Sequence, residues 1–209
     1  ARDVDSFTDA AHLQIASRAK LPVVASQDAR IVAFRSPNDT REHVALIIGE
    51  QTAEQTPLVR LHSECLTGDV LGSLKCDCGP QLDVALHAMA DEAAKGGWGV
   101  LLYMRQEGRG IGIINKLRAY RLQDQGFDTV DANTRLGLPD EARDFPTAAR
   151  MLELLKIEKI RLMTNNPAKV EALAAQGVAV TERVAHALPD NPHNAHYLAT
   201  KRDRSGHLL

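Results

Sequence analysis

The feature that most constrains the fold of this chain is the alternation of short apolar segments with segments of helical periodicity. Apolar runs predict strands at residues 29–34, 43–49, 58–62, 99–104, 160–163 and 178–180. Apolar residues at helical spacing predict helices at residues 80–93, 113–123, 146–155 and 167–176. Strands that alternate with helices of about 10–15 residues are typical of a helix-covered sheet. We therefore predict an α/β fold, with a mixed β-sheet flanked by helices in a single compact domain.

The length of 209 residues fits one domain, and no repeat or linker divides the chain. Residues 1–18 are polar and rich in alanine. They are expected to form an N-terminal extension that is helical or flexible. Residues 19–209 are expected to form the folded domain.

Composition argues against several classes of protein. The net charge of −2 and the aromatic content of 4% disfavour a nucleic-acid-binding protein, which is usually basic and stacks bases on aromatic rings. No run of about 18 apolar residues predicts a membrane span. The first residues also lack the basic-then-apolar layout of a secretory signal. We expect a cytoplasmic protein with neither nucleic acid nor membrane as a partner.

Three clustered cysteines predict a metal site. Ten residues separate Cys65 from Cys76, and one separates Cys76 from Cys78. An odd number of cysteines does not fit a disulfide framework and favours a reducing compartment. Zinc prefers thiolate ligands, and three protein ligands leave one coordination position open, as in catalytic zinc sites. Two alternatives remain: three buried apolar thiols, or a closed site with His62 as a fourth ligand.

Two turns are candidates for binding an anion. Residues 105–112 are glycine-rich, lie between a predicted strand and helix, and carry Arg105 and Arg109, with Lys116 just beyond. Glycines let backbone N–H groups approach an anion, and arginine suits phosphate oxygens. Residues 164–167 repeat the layout, with Lys169 in the following helical turn. The alternatives are a structural glycine turn and an ordinary capped helix.

Taken together, these segments resemble the GTP cyclohydrolase II family, which opens riboflavin biosynthesis. The matching stretches are residues 60–69, 76–79, 105–109, 115–120, 123–126, 143–145, 164–167, 196–201 and 206–209. The resemblance runs from about residue 19 to the C-terminus, so residues 19–209 are expected to be the catalytic domain. It implies conversion of GTP to a diamino-ribosylamino-pyrimidinone phosphate, with release of formate and pyrophosphate. It also implies one Zn²⁺ per chain, Mg²⁺ with the GTP phosphates, and a homodimer.

The resemblance assigns roles to individual residues. Cys65, Cys76 and Cys78 match the zinc ligands. The positions that match GTP contacts are Arg60, Leu61, His62, Ser63, Glu64, Gln81, Glu107, Gly108, Arg109, Thr129, Thr164 and Lys169. Tyr120 matches a tyrosine associated with hydrolysis at the zinc site, although its place on an apolar helix face alone predicts core packing.

Two further positions match catalytic residues of the family. Arg143 matches an arginine proposed as a nucleophile toward the α-phosphorus. A guanidinium stays protonated in proteins, so we expect Arg143 to stabilise charge during pyrophosphate loss. Glu141 stands where the family usually has an aspartate as proton acceptor, and the neighbouring Asp140 is the alternative. From the residues alone, this loop would be solvated surface.

The sequence leaves two other functions open. A paralogue can open the imidazole ring and retain the formyl group, or serve another GTP-derived pathway, although Tyr120 favours the complete reaction. A zinc-stabilised nucleic-acid-binding module belongs to a different class, and the net charge of −2 disfavours it.

Overall fold

Seven strands form one mixed sheet in the computed structural model, which describes residues 9–139 and 142–208. The strands are β1 (Gln14–Lys20), β2 (Arg30–Ser36), β3 (Asp39–Gly49), β4 (Leu58–Ser63), β5 (Trp98–Met104), β6 (Lys159–Met163) and β7 (Ala179–Val184). Their order across the sheet is β1-β2-β3-β5-β4-β6-β7. β1, β2, β3 and β5 pair antiparallel, whereas β5, β4, β6 and β7 pair parallel. The predicted α/β fold with a mixed sheet is confirmed.

Helices cover both faces of this sheet. They are α1 (Cys78–Ala94), α2 (Gly112–Gln123), α3 (Thr129–Arg135), α4 (Phe145–Leu154), α5 (Pro167–Ala175) and α6 (Ala195–Ser205). Side chains alternate between the faces along each strand, so the core has two halves. Leu101 packs with Met89 of α1 on one face, while Leu102 packs with Leu152 of α4 and Leu173 of α5 on the other. No helix in the described ranges is long and apolar enough to cross a membrane.

Every strand and helix predicted from apolar patterning is present, with ends that differ by a few residues. The patterning did not identify β1, α3 or α6. β1 is an edge strand whose residues are mostly exposed, so it lacks an apolar alternation. α3 and α6 are polar short helices, with no broad apolar stripe.

The predicted N-terminal extension needs one correction. Residues 14–18 lie in β1, which pairs with β2 from Gln14 opposite Arg35 to Lys20 opposite Arg30. Backbone hydrogen bonds to an available sheet edge hold this polar segment as a strand without a buried face. Residues 1–8 of the predicted extension lie outside the described residues.

The parallel strands bring the predicted motifs together. Ser63 pairs with Met104, so β4 and β5 end side by side. β6 lies on the other side of β4 and runs in the same direction. The segments that follow these three strands therefore emerge at one edge of the sheet, where ligands of parallel α/β sheets usually bind.

A buried histidine supports the turn after β5. The His43 side chain is 1% exposed, and its Nδ1 accepts a hydrogen bond of 3.0 Å from the backbone N–H of Arg105. Burial, helped by the positive charge of Arg41, lowers the pKa of His43 to about 4. Protonation at Nδ1 would also remove the acceptor that Arg105 uses. The fold therefore requires a neutral His43.

We predict that His43 makes the protein acid-sensitive. In the unfolded chain the ring takes up a proton near pH 6.5, whereas the folded ring does so only near pH 4. The unfolded state therefore binds more protons in this window, and stability falls as the pH decreases from about 6.5 to about 4. His43→Asn keeps an acceptor and removes the titration, so it should reduce this loss by about 1–3 kcal/mol.

Urea unfolding at pH 7 and pH 4.5 measures this effect. His87→Asn is the matched control, because His87 lies on an exposed part of α1. An identical pH dependence for the wild type and His43→Asn would contradict the assignment.

Candidate active site

A cleft opens at the carboxyl edge of β4, β5 and β6. It has a volume of about 1150 Å³ including its open mouth, on the scale of clefts that hold small organic ligands. Its walls come from residues 60–65, 75–81, 107–120 and 164–169, and from the chain after residue 196. The three predicted motifs therefore share one cavity.

Three thiols meet at one side of the cleft. The sulfur atoms of Cys65, Cys76 and Cys78 all lie within 4.8 Å of one another, and Cys65 Sγ is 3.6 Å from Cys76 Sγ. Gly68 lies directly against them, since a Cβ atom there would be 2.8 Å from Cys76 Sγ and 3.1 Å from Cys65 Sγ. The chain thus approaches the sulfur atoms as closely as a glycine permits, and the group could hold one metal ion.

A lysine and a glutamate support the first of these thiols. Lys116 Nζ donates to Cys65 Sγ at 3.0 Å and to Glu107 Oε1 at 2.8 Å. Hydrogen bonds with Cys76 and Cys78, together with Lys116, hold the pKa of the Cys65 thiol well below its usual range. Burial alone would lower the pKa of Lys116, but its bonds to Cys65 and Glu107 raise it. These contacts favour a thiolate beside an ammonium group.

The surroundings of His62 favour a site with three cysteine ligands over one with His62 as a fourth ligand. Its Nε2 lies 3.0 Å from Asp69 Oδ1, and Asp69 also accepts from the Tyr103 hydroxyl and the Cys65 backbone N–H. Within the described ranges, the metal-capable group consists of the three cysteines and includes no histidine. Burial lowers the pKa of His62 in spite of Asp69. His62 lines the cleft as a buried neutral ring beside the thiols.

A buried arginine network joins β4 to the helix that carries Cys78. Arg60 donates to the Met163 carbonyl oxygen at 3.1 Å and to Gln81 Oε1 at 2.5 Å. Gln81 Nε2 donates in turn to Asp77 Oδ2 at 2.7 Å. Burial lowers the pKa of Arg60 to about 10, so the group stays charged at neutral pH. Asp77 therefore links the cysteine loop, residues 65–78, to a fixed cation in the cleft.

The backbone of the glycine-rich turn has a left-handed conformation, which few residues other than glycine adopt. Gly108 and Arg109 both have φ of 63°. A left-handed conformation is uncommon for a side chain such as arginine, and is often stored at functional sites. Gly110 permits a close approach, because a Cβ atom there would lie 2.3 Å from the Ala142 carbonyl oxygen. This approach brings Arg143 to the same cleft as Arg109.

The turn after β6 places a buried lysine. Asn166 caps α5 by accepting from the Ala168 backbone N–H at 3.1 Å. Lys169 in the first turn is buried, and its Nζ donates to the Leu61 carbonyl oxygen at 2.9 Å. A buried cation at a helix N-terminus marks this end of the cleft as electropositive.

Tyr120 faces the cleft, so the core-packing role that its helix face alone predicted is wrong. Its hydroxyl shares a hydrogen bond of 3.3 Å with Thr67 Oγ1. Lys75 and Lys116 lie 5.2 and 5.7 Å from the centre of its ring. Burial raises the pKa of the phenol, so Tyr120 carries a proton at neutral pH.

Most of the residues predicted from the sequence line this cleft. They are Arg60, His62, Ser63, Glu64, Cys65, Cys76, Cys78, Gln81, Glu107, Gly108, Arg109, Tyr120, Thr129, Arg143, Thr164 and Lys169. The Leu61 side chain does not line the cleft. It is buried in the core because alternate β4 residues face away from the cleft, and its carbonyl oxygen accepts from Lys169. Glu141 and Asp140 lie outside the described residues.

Several lining residues were not assigned individual roles by the family resemblance. They include Lys75, Ile111, Lys116, Ala119, Gln123, Asn133, Asn165, Asn166, Tyr197, Lys201 and His207. Lys116 was visible as one of several cations after the glycine-rich turn. Tyr197, Lys201 and His207 lie in a tail that matched the family motif without a function attached to it.

The model of the family described as GTP cyclohydrolase II matches residues 14–185. A GTP cyclohydrolase-2 of Klebsiella pneumoniae is 51% identical over 94% of this chain and 96% of its own length. This chain belongs to the GTP cyclohydrolase II family.

Longer proteins also match this member of the GTP cyclohydrolase II family. The riboflavin biosynthesis protein RibBA of Salinispora tropica is 52% identical over 94% of this chain and 48% of its own length. The chain spans about half the length of the first curated relatives it matches. A crystal structure of RibBX, a two domain 3,4-dihydroxy-2-butanone 4-phosphate synthase from A. baumannii, superposes with a TM-score of 0.45 at 18% identity, over 85% of this chain and 41% of that chain.

Gly68 provides a test of the thiol cluster. Gly68→Ala places a methyl group against Cys65 and Cys76, which must separate. We expect the affinity for Zn²⁺ to fall by about 10- to 100-fold, the usual effect of disturbing groups around metal ligands. Competition with a chromogenic chelator measures the affinity.

Gly72→Ala is the matched control in the same loop. Gly72 has φ of 65°, so alanine is strained there, but a Cβ atom would meet nothing within 4 Å. Its zinc affinity should stay at the wild-type value. Equal losses for both variants would mean that loop strain, rather than sulfur spacing, sets the affinity.

Proposed function

We propose that this chain is a zinc-dependent GTP cyclohydrolase II of riboflavin biosynthesis. It hydrolyses GTP at C8 of the guanine and at the α–β phosphoanhydride, giving a diamino-ribosylamino-pyrimidinone phosphate, formate and pyrophosphate. The observation that carries the proposal is a three-thiol cluster and several fixed cations in one cleft of a chain from this family.

The thiol cluster fits one zinc ion per chain. Thiolates are ligands that zinc favours, and the spacing of the three sulfur atoms suits a shared ion. Cys65, Cys76 and Cys78 would hold the ion, which would supply a Lewis acid able to make water nucleophilic at neutral pH. The contact with Lys116, which also binds Glu107, favours the thiolate form of Cys65 that a metal needs. Asp69 accepts from the Cys65 backbone N–H and so fixes the backbone there.

Tyr120 is the proposed acid beside the guanine ring. Its phenol is protonated, half-buried and bonded to Thr67, which belongs to the loop between Cys65 and Cys76. A phenol in that position can donate a hydrogen bond, or a proton, to a ring nitrogen as the C8 bond opens. Lys116 stabilises negative charge that develops nearby.

Other cations of the cleft are proposed to hold the triphosphate. Arg109, Arg143 and Lys169 line the cleft. The close approach of Gly110 to Ala142 positions Arg143, and the Leu61 carbonyl oxygen holds Lys169. Mg²⁺ bound with the phosphates would neutralise part of their negative charge. Arg143, as a permanent cation, stabilises the charge that forms on pyrophosphate.

Glu141 is proposed as the proton acceptor, with Asp140 as the alternative. Comparing Glu141→Gln with Asp140→Asn distinguishes them, because only the variant that removes the acceptor should slow turnover. We expect Glu141→Gln to lose about 100-fold or more in kcat.

The assembly and location are further parts of the proposal. The family resemblance supports a homodimer, which analytical ultracentrifugation tests. Three reduced thiols as metal ligands need a reducing compartment, which supports a cytoplasmic location.

Turnover of GTP by the zinc-loaded protein tests the proposed activity. Formate and pyrophosphate should appear in equal amounts, with about one zinc per chain. Zinc-replete protein that leaves GTP intact would exclude the activity. A product that retains the formyl mass would identify the ring-opening paralogue instead.

Tyr120→Phe tests the division of labour within the cleft. Removing the hydroxyl should slow formate release by about 100-fold while pyrophosphate release falls less, because the phenol acts only at the ring. Formate and pyrophosphate measured in the same reaction provide the comparison. Equal losses would remove Tyr120 from the C8 chemistry.

A further inference from the structure

The C-terminal arm, residues 195–208, forms a wall of the cleft that the proposed function does not use. It comprises α6 and the three residues after it. It lies beyond residues 14–185, which the family model matches. Three of its side chains, Tyr197, Lys201 and His207, line the cleft.

The C-terminal arm is fixed to the segments that build the site. Lys201 Nζ donates to Asp77 Oδ1 at 2.8 Å, and both side chains are largely buried. The backbone N–H of Leu208 donates to the Asn165 carbonyl oxygen at 2.8 Å. Arg204 forms an ion pair with Asp128, the N-cap residue of α3. Asp128 directly precedes Thr129, which lines the cleft. These contacts tie the arm to the cysteine loop, the turn after β6 and α3.

A glycine turns the end of the C-terminal arm into the cleft. Gly206 follows α6 with φ of 65°, and the backbone N–H of His207 donates back to the Lys201 carbonyl oxygen at 3.2 Å. This is the usual way in which a left-handed glycine ends a helix and reverses the chain. The reversal directs the His207 ring into the cleft.

The His207 ring lies in the electropositive part of the cleft. Four cationic side chains act on it: Lys201, Arg143, Arg109 and Lys169. Burial, and then these positive charges, lower the pKa of the ring to about 4. Its Nδ1 atom is buried and has no hydrogen-bond partner among the described residues. A neutral imidazole can donate through one ring nitrogen and accept through the other.

A neutral ring among four cations is suited to a polyanion. These four cations line the same cleft as the ring, so together they would attract the negative charges of a bound phosphate chain. The ring adds a hydrogen-bond donor without adding a fifth charge. Phosphate oxygens accept such bonds, and charge-assisted bonds of this kind are among the stronger ones.

We propose that His207 donates a hydrogen bond to the phosphate chain of the nucleotide, so that the C-terminal arm is part of the substrate site. This inference rests on the proposed function for the identity of the nucleotide. Lys201 acts as a positioning residue, since its contact with Asp77 holds the arm against the cysteine loop.

Binding of two probes to the zinc-loaded full chain tests the inference. Inorganic triphosphate carries the phosphates alone, and guanosine carries the base and sugar alone. His207→Ala should weaken binding of inorganic triphosphate by about tenfold, the effect of losing a hydrogen bond to a charged group. The affinity for guanosine should be unchanged, and His207→Gln, which retains a donor, should recover most of the loss. Titration calorimetry measures both affinities.

His196→Ala is the matched control, because His196 is exposed on the same helix and does not line the cleft. Its affinities for both probes should equal those of the wild type. Three results would overturn the inference: no binding of inorganic triphosphate to the wild type, an unchanged affinity in His207→Ala, or equal weakening of both probes.

The test also separates this inference from the proposed activity. A wild type that binds inorganic triphosphate through His207 but leaves GTP intact would exclude the activity and keep the phosphate contact. Turnover of GTP together with an unchanged affinity of His207→Ala for inorganic triphosphate would support the activity and exclude the phosphate contact.

Discussion

The parallel pairing of β4 with β5 and β6 is the constraint on which the site depends. Parallel strands end on the same side of a sheet, so the segments that follow Ser63, Met104 and Met163 emerge together. Those segments carry the first cysteine, the glycine-rich turn and the asparagine-capped helix. Nothing in their separate sequences requires them to meet, because about 40 and 100 residues separate them along the chain. The sheet converts distant motifs into one cavity.

Charge inside that cavity is balanced by contacts that also hold the backbone. Glu107 accepts from the Leu66 backbone N–H as well as from Lys116, so one carboxylate joins the cysteine loop to α2. Asp69 joins His62, Tyr103 and the backbone of Cys65 in the same way. Buried charges are costly unless they are paired and hydrogen-bonded. In this site, pairing keeps the groups charged and also sets their positions.

The sequence predicted what local patterns and motif chemistry determine. Apolar periodicity located the central strands and the helices that cover them, because those elements bury one face. The cysteine spacing, the two turns and the family motif identified most of the residues that line the cleft. Whether Leu61 points into the core and Tyr120 points into the cleft depends on strand register and on neighbouring segments. A motif match cannot determine these directions, since it reports which residues recur rather than where each side chain points.

The C-terminal arm is a second feature whose place in the site could not be predicted from local sequence patterns. α6 has many charged residues and few buried ones, so patterning alone favours a solvated tail. Ion pairs connect it to Asp77 and Asp128, which belong to the site segments. A polar helix of this length is marginal in isolation, so its order depends on contacts with the cysteine loop and α3. The arm places Lys201 and His207 in the cleft. The positive charge of the cleft therefore depends on the folding of the cysteine loop, which holds the arm in place.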